Sequence, residues 1–270
     1  MKDGFIKVAA GTPDVQVADC EFNAAEIIKM VREMEAEGAR VMVFPELCIT
    51  AYTCGDLFWQ ENLLEEAKVQ LMRIAEETAD VDAIIFVGLP LEYKGKLYNV
   101  AAGLNHGEIL GFVPKTYLPN YNEFYEARYF TSGEDVDGTV TIRRSEYGLH
   151  HDEEMTDEDV EFGLEAELEA LEEEDSFEEL EEIDEEPDYI DEDETEEFDE
   201  VDVPISSNIL FICQEMPKLK IAAEICEDLW VPNPPSVGHA YHGANLIVNL
   251  SASDEVVGKD SYRKSLVSAQ

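Results

Sequence analysis

Basic residues are scarce in this chain of 270 residues. It contains 18 Lys and Arg against 63 Asp and Glu, which gives a formal net charge of −45. Proteins that bind nucleic acids depend on Lys and Arg to neutralise phosphates. The composition therefore argues against a nucleic-acid partner.

The excess negative charge is concentrated in one part of the chain. From Asp152 to Asp202 there are 31 acidic residues, and no Lys or Arg occurs between Arg144 and Lys218. This block accounts for 31 of the 45 net negative charges. A long run of one sign repels itself and usually stays solvated. We therefore predict a largely disordered, acidic low-complexity insert over 140–203, within one domain that spans 1–270. A calcium site is not favoured, since the block lacks the D-x-D-x-D-G spacing of a calcium-binding loop.

Paired cysteines and long apolar runs are also absent. The five cysteines are odd in number and form no CxxC pair, which favours free thiols in a reducing compartment. They show no ligand spacing with the five histidines, so we predict no metal site. The N-terminus lacks the apolar core of a signal peptide, and no apolar run approaches about 20 residues. We expect a cytoplasmic protein without a membrane partner.

Apolar periodicity predicts an α/β fold. Continuous apolar strands of this kind are typical of sheets that are covered on both faces, so we expect a layered α/β sandwich. Helices are predicted at 24–39 and 62–79, and another begins at 259. Strands are predicted at 5–11, 41–46, 83–90, 96–104, 108–115, 209–213, 219–226 and 244–253. The sequence stops at Gln270 inside a helical pattern, so we expect a C-terminally truncated domain and a longer parent protein.

Three predicted strands each end in a reactive side chain. Glu46 follows Pro45 at the end of one strand, Lys115 follows Pro114 at the end of another, and Cys226 ends a third. Ligands of layered α/β proteins collect at strand ends, and each proline stiffens the backbone that aims the next side chain. These residues are candidates for one site.

A cysteine nucleophile needs a base and an oxyanion donor. Glu46 is the candidate base, and Lys115 and the backbone N–H of Glu227 are candidate donors. The acidic neighbours Glu227 and Asp228 favour a protonated thiol, so Glu46 would remove the proton of Cys226 as attack proceeds. The alternative is that Cys226 is an inert, buried apolar residue.

Three longer motifs carry a family resemblance. They are VFPELCITAYTCGDLF around Glu46, GFVPKTYLPNYNEFYEARYF around Lys115, and EICEDLWVPNPPS around Cys226. Together they resemble the nitrilase, or carbon–nitrogen hydrolase, superfamily and, within it, the glutaminase domains of glutamine-dependent NAD synthetases. The resemblance covers 1–135 and 203–270. It implies an αββα sandwich and a catalytic triad of Glu46, Lys115 and Cys226.

The resemblance also implies a set of substrate-binding residues. Glu126 would be a second carboxylate that positions Lys115 and the substrate. Tyr121 and Phe124 would line the pocket, although core packing is an alternative for both. The complete predicted set is Tyr52, Tyr121, Phe124, Glu126, Glu227, Ser253 and Lys259.

The implied activity is hydrolysis of glutamine to glutamate and ammonia, with no cofactor in this domain. Ammonia would pass to a C-terminal synthetase domain that uses ATP, Mg and deamido-NAD, and the family forms homo-oligomers. These 270 residues contain no SGGxDS-type loop, so NAD synthesis is expected only of a longer parent. The alternatives are a stand-alone nitrilase-type amidase acting on another small amide and a non-catalytic acidic interaction module.

Overall fold

The computed structural model describes residues 5–143 and 200–269, which contain both helices and strands as predicted. The described strands are β1 (Val8–Ala10), β2 (Val41–Val43), β3 (Ile84–Tyr93), β4 (Lys96–Asn105), β5 (Glu108–Pro114), β6 (Asp137–Arg143), β7 (Glu200–Ser206), β8 (Phe211–Ile212), β9 (Lys220–Ile225) and β10 (Leu246–Leu250). The described α-helices are α1 (Cys20–Ala36), α2 (Glu61–Glu77), α3 (Pro235–Tyr241) and α4 (Lys259–Ala269).

Element boundaries differ from the sequence prediction in identifiable ways. Helix α1 begins at Cys20 rather than at residue 24, because the Asp19 side chain accepts the backbone N–H of Phe22 at 3.0 Å and caps the first turn. Strand β2 ends at Val43 rather than at residue 46, just before Pro45, which has no N–H to donate.

Strands β6 and β7 were not predicted, and they include both ends of the predicted acidic insert. Residues 140–143 and 200–203 are β-strand and pair in antiparallel register, with Val140 opposite Val203 and Ile142 opposite Val201. Apolar residues occur at every second position of both strands in the sequence, but the neighbouring acidic block led to a prediction of disorder there. The remainder of the insert, 144–199, lies outside the described residues.

Among the described residues, the larger sheet has seven strands in the order β1-β2-β3-β4-β5-β7-β6. Strands β1, β2 and β3 are parallel, and β3, β4 and β5 form an antiparallel meander. The smaller sheet has the order β10-β9-β8, with β9 and β10 parallel. Parallel neighbours bring their carboxyl ends to the same edge of a sheet, which is where the candidate residues lie.

Alternation along the strands builds two cores. On β3, Ile85 and Val87 pack in the core that includes α1 and α2, while Phe86 faces the smaller sheet. On β9, Ile225 packs in the core between the sheets, and Glu224 on the opposite face accepts the backbone N–H of Ser236 in α3 at 3.2 Å. The layers are therefore helix, sheet, sheet, helix, which confirms the predicted sandwich.

None of the helices within 5–143 and 200–269 is long and apolar enough to cross a membrane. In the same ranges, no three His, Cys, Asp or Glu side chains are grouped to hold a metal ion.

The absence of a side chain at Gly88 lets two backbone segments approach closely, and this can be tested. A Cβ on Gly88 would lie 2.7 Å from the Pro45 carbonyl oxygen and would also collide with the backbone of Glu46 and Leu47. Because backbone cannot move aside as a side chain can, we expect Gly88→Ala to lower the free energy of unfolding by about 3 kcal/mol. Urea denaturation measures this change.

Gly238→Ala is the matched control. Gly238 is exposed on α3 with nothing within 4 Å of its added Cβ, so alanine should be neutral or slightly stabilising there. Equal stability of Gly88→Ala and the unmutated chain would contradict the close approach seen here.

Candidate active site

The three predicted residues follow the carboxyl ends of three strands. Glu46 lies three residues beyond β2, Lys115 directly follows β5, and Cys226 directly follows β9. The φ angle of Cys226 is +45°, which is disfavoured for a residue other than glycine, and a 3₁₀ turn begins there. Cys226 nevertheless packs in the same core between the sheets as Ile225 of β9.

Lys115 is the centre of a buried charged cluster. Its Nζ donates to Glu46 Oε1 at 2.6 Å and to Glu126 Oε1 at 2.7 Å, and the hydroxyl of Tyr52 also donates to Glu126 Oε1 at 2.7 Å. Glu46 and Lys115 are each 1% exposed, and Glu126 is 3% exposed. One ammonium group is therefore shared by two carboxylates away from water.

The cluster shifts the titration of its members. Burial alone would lower the pKa of Lys115, but Glu46 and Glu126 raise it above its ordinary value. Burial raises the pKa of Glu126 to about 7, against the opposing effect of Lys115. Lys115 therefore remains an ammonium ion at neutral pH, while Glu126 titrates near neutrality.

Cys226 is buried and interacts electrostatically with all three charged residues. Burial raises the pKa of its thiol to about 12; Glu46 and Glu126 also raise it, and Lys115 lowers it. The resting cysteine is a neutral thiol, as expected from the sequence. The cause of the raised pKa differs from the expectation. Burial and Glu46 raise it most, rather than the adjacent acids Glu227 and Asp228.

The two acids after Cys226 point to other partners. The carboxylate of Glu227 accepts the hydroxyl of Tyr121, at 2.9 Å to one oxygen and 3.0 Å to the other. Asp228 is buried and accepts three backbone N–H groups: Tyr117 at 2.7 Å, Thr116 at 3.1 Å and Ile225 at 3.0 Å.

Asp228 thereby links two parts of the site. Thr116 and Tyr117 follow Lys115, and Ile225 precedes Cys226, so one carboxylate fixes both backbones relative to each other. Burial raises the pKa of Asp228 to about 7, although these backbone donors oppose the shift. This role of Asp228 was not predicted, because from the sequence Asp228 was only a negative charge beside the thiol.

Two further groups orient Glu46, and neither was predicted. Asn99 Nδ2 donates to Glu46 Oε1 at 2.7 Å, and the backbone N–H of Ala252 donates to Glu46 Oε2 at 3.2 Å. Asn99 had a sequence signal, since it is a lone amide in the apolar strand KLYNVAAGL. Ala252 had none, because its backbone contributes the bond.

The predicted aromatic residues lie in a continuous row. Tyr52 and Phe124 have ring centroids 6.5 Å apart, and Phe124 and Tyr121 are 5.8 Å apart, both with edge-to-face geometry. Tyr52 contacts buried Glu126, whereas Tyr121 is 50% exposed. The row extends from the charged cluster to the protein surface, which suits a pocket wall as well as it suits packing.

The last two predicted residues differ in their placement. Ser253 is half-buried and follows Ala252, which contacts Glu46. Lys259 pairs with Asp254 Oδ1 at 2.6 Å, and its Nζ lies 5.8 Å from the centroid of the Trp230 ring. The pocket roles of both residues stay predictions.

Sequence comparisons relate this chain to known proteins. Residues 7–265 match the carbon–nitrogen hydrolase family model. The chain is 31% identical over 263 residues to the glutamine-dependent NAD(+) synthetase of Mycobacterium tuberculosis. This alignment covers 97% of this chain and 30% of that relative. The synthetase of Aquifex aeolicus is 28% identical over 254 residues, covering 94% of this chain and 31% of that relative. The chain thus spans about 30% of the length of these curated relatives.

Solved structures support the fold. The glutamine-dependent NAD(+) synthetase of Cytophaga hutchinsonii superimposes with a TM-score of 0.67 at 24% identity, covering 97% of this chain and 33% of that one. An amidase from Nesterenkonia sp. superimposes with a TM-score of 0.56 at 16% identity, covering 94% of this chain and 68% of that one. The mixed α/β sandwich of this chain is therefore nitrilase-like.

The bridging role of Asp228 is open to a stability test. Asp228→Ala leaves three backbone N–H groups without their acceptor, so we expect the free energy of unfolding to fall by about 3 kcal/mol. Asp228→Asn keeps one acceptor oxygen and should lose less. Urea denaturation of both variants measures the difference.

Asp254→Ala is a suitable control, since it removes an acid from the surface pair with Lys259, and such pairs contribute little. If Asp228→Ala were as stable as Asp254→Ala, the carboxylate would not hold the two backbones together.

Proposed function

Because this chain belongs to the carbon–nitrogen hydrolase family, we propose that it hydrolyses the side-chain amide of glutamine to glutamate and ammonia through a thioester on Cys226. One observation carries the proposal. The buried Lys115 ammonium, held between Glu46 and Glu126, interacts with the Cys226 thiol at the end of β9. This arrangement supplies a nucleophile, a base and a cation in one place.

The first step forms a tetrahedral adduct. Glu46 takes the proton of the Cys226 thiol while the sulfur attacks the amide carbon, and the carbonyl electron pair moves to the oxygen. Lys115 and the backbone N–H of Glu227 stabilise the resulting oxyanion. Asn99 and the Ala252 N–H hold the Glu46 carboxylate in place for this proton transfer.

The next steps release ammonia and then glutamate. Glu46 gives its proton to the leaving nitrogen as the carbon–nitrogen bond breaks, which leaves a thioester. Glu46 then takes a proton from water while the water oxygen attacks the thioester. The carbon–sulfur bond breaks, and the proton returns to the sulfur of Cys226. The enzyme is regenerated, and water has replaced ammonia on the acyl group.

Substrate recognition uses the remaining predicted residues. Glu126 Oε2 is buried and has no hydrogen-bond partner among the described residues, so it is available to accept an N–H of the substrate amide. The Glu227 carboxylate suits the α-ammonium group of glutamine, and Tyr52, Phe124 and Tyr121 form the wall between the two. Ser253 and Lys259 are the candidate donors to the α-carboxylate.

A parent protein would use the ammonia. The names of the relatives support a synthetase partner domain outside this chain, which would use ATP, Mg and deamido-NAD. We propose that no cofactor is needed within this domain and that the parent assembles as a homo-oligomer.

Glutamine turnover tests the proposal. Purified chain should release equal amounts of glutamate and ammonia, and both Cys226→Ala and Glu46→Gln should reduce the rate about 10³-fold or more, because each removes a group that acts directly on the reacting atoms. Cys213→Ala is the control. Cys213 follows β8 and donates its backbone N–H to Leu219, just before β9 begins, whereas Cys226 follows the end of β9. This change should leave the rate unchanged.

The outcome separates the alternatives. Hydrolysis of simple amides without glutamine would favour a stand-alone amidase. Folded protein that turns over neither substrate would favour a non-catalytic module with an acidic insert.

The pH profile supplies a second test. Once Glu46 has taken the thiol proton, an ionised Glu126 is the carboxylate that balances Lys115. The pKa of Glu126 is about 7, so kcat/KM should fall as pH drops through about 7 and rise above it. Glu126→Gln should be slower and should move this acidic limb to lower pH. Asp228 also has a pKa near 7 and could produce a similar limb. Asp228→Asn is therefore the control, and the limb should persist in this variant if Glu126 is its source. A limb unchanged in Glu126→Gln would exclude Glu126 as its source.

A further inference from the structure

One face of helix α4 packs around the ring of Trp230. The Tyr262 ring stacks on the Trp230 ring, with centroids 5.6 Å apart and an angle of 23° between the planes. Lys259 Nζ and Arg263 Cζ lie 5.8 Å and 5.9 Å from the centroid of the same Trp230 ring. The three α4 residues are spaced i, i+3 and i+4, so they share one face of the helix, and this face is turned to Trp230.

Trp230 itself follows the turn that begins with Cys226. The 3₁₀ turn covers Cys226–Leu229, and the backbone N–H of Trp230 donates to the carbonyl oxygen of Glu227 at 2.8 Å. Trp230 is half-buried, whereas Tyr262 is 60% exposed. The ring that contacts α4 is therefore anchored next to the proposed nucleophile.

Two basic residues of α4 also hold the loop 251–258, which precedes the helix. Lys259 Nζ donates to the carbonyl oxygen of Asp254 at 2.8 Å and to Asp254 Oδ1 at 2.6 Å. Arg263 Nη1 pairs with Glu255 Oε2 at 3.5 Å. Both pairs are partly exposed, and such pairs contribute little by themselves. We therefore expect them to hold the loop only while the helix is docked on Trp230.

The same loop reaches the proposed base. Ala252 lies two residues before Asp254, and its backbone N–H donates to Glu46 Oε2 at 3.2 Å. The other oxygen, Glu46 Oε1, accepts both Lys115 and Asn99. Because each carboxylate oxygen has two lone pairs, Oε2 is the oxygen with a lone pair left for the thiol proton. The loop therefore contacts the oxygen that the proposed proton transfer requires.

Helix α4 is docked weakly. None of its 11 residues, all of which the structure describes, is buried, and an isolated helix of this length is marginally stable in water. An aromatic pair changes an equilibrium constant by about two- to tenfold. Since little else is buried against α4, loss of the stack should release the helix in a measurable fraction of the molecules.

We propose that Trp230 is a positioning residue for Glu46. Its stack with Tyr262 docks α4, and α4 holds the loop 251–258. Ala252 then keeps Glu46 Oε2 in the orientation that accepts the thiol proton. Trp230 takes part in no covalent or proton-transfer step. The inference rests on the proposed function in taking Glu46 as the base.

Hydrogen exchange at the Ala252 amide tests this link without any substrate. The amide is protected by its bond to Glu46, and NMR follows its exchange with deuterium in the whole chain. Tyr262→Ala should exchange about two- to tenfold faster at Ala252, because the docking equilibrium loses the stack. Tyr262→Phe keeps a ring in place and should restore the original rate. Amides of β3 and β4 should keep their rates in both variants, which separates local release from global unfolding.

Glutamine hydrolysis supplies the second readout. Tyr262→Ala should lower kcat by about two- to tenfold, because Glu46 is correctly oriented only in the docked fraction, and Tyr262→Phe should recover it. Trp230→Ala should also lower kcat. In a chain that already carries Trp230→Ala, the change Tyr262→Ala should have no further effect, because both changes remove one stack.

Tyr241→Ala is the matched control. Tyr241 is 88% exposed at the end of α3 and makes no ring contact among the described residues. Removing the same side chain there should change neither the exchange at Ala252 nor kcat. If Trp230→Ala does not fold, the two Tyr262 variants carry the test, since Tyr262 lies at the surface.

Three results would overturn the inference: unchanged exchange at Ala252 in Tyr262→Ala, faster exchange there with an unchanged kcat, or a further loss in the double variant. Failure of the proposed function is distinguishable from these. Faster exchange at Ala252 in a folded chain that does not hydrolyse glutamine would support the link from Trp230 to Glu46 and refute glutaminase activity. Glutamine hydrolysis with unchanged exchange would do the reverse.

Discussion

The site depends on a single buried ammonium group. Lys115 lies between Glu46 and Glu126, and removing these charges from water is costly unless each has a close partner. Burial raises the pKa of Glu126 and of the Cys226 thiol, and the charge of Glu46 adds to both shifts while Lys115 opposes them. These buried, carboxylate-rich surroundings keep the sulfur neutral until a base acts on it, which links the structure to the proposed mechanism.

Holding this cluster requires bonds that do not themselves take part in chemistry. Asp228 connects the backbone after Lys115 to the strand before Cys226, and Cys226 occupies a left-handed conformation that its surroundings must maintain. On the other side, Asn99 fixes the Glu46 carboxylate from within a core strand. Hydrogen bonds between buried polar groups make such an arrangement rigid. The fold thus positions the three side chains to which we assign the proposed chemistry.

Particular residues show how far sequence reasoning reaches. Glu46, Lys115 and Cys226 were identifiable because each follows an apolar strand, and strand ends are where a layered sandwich exposes reactive groups. Asn99 could have been found as a lone amide in an apolar strand. The bridging role of Asp228 could not be found, because its partners are backbone groups, two of which lie more than 100 residues away along the chain. Strands β6 and β7 were not predicted, because they adjoin the acidic block and were assigned to the insert.

The sequence by itself determined the α/β layers, the position of the acidic block and the three strand ends, because apolar periodicity and charge are local properties of the chain. Only the tertiary structure decided that burial and Glu46, rather than Glu227 and Asp228, control the pKa of the thiol, and that Asp228 joins the backbones on the two sides of the site. Hydrogen bonds between distant segments depend on register and on the path of each turn. Those features arise from packing the whole sandwich and leave no local pattern to read.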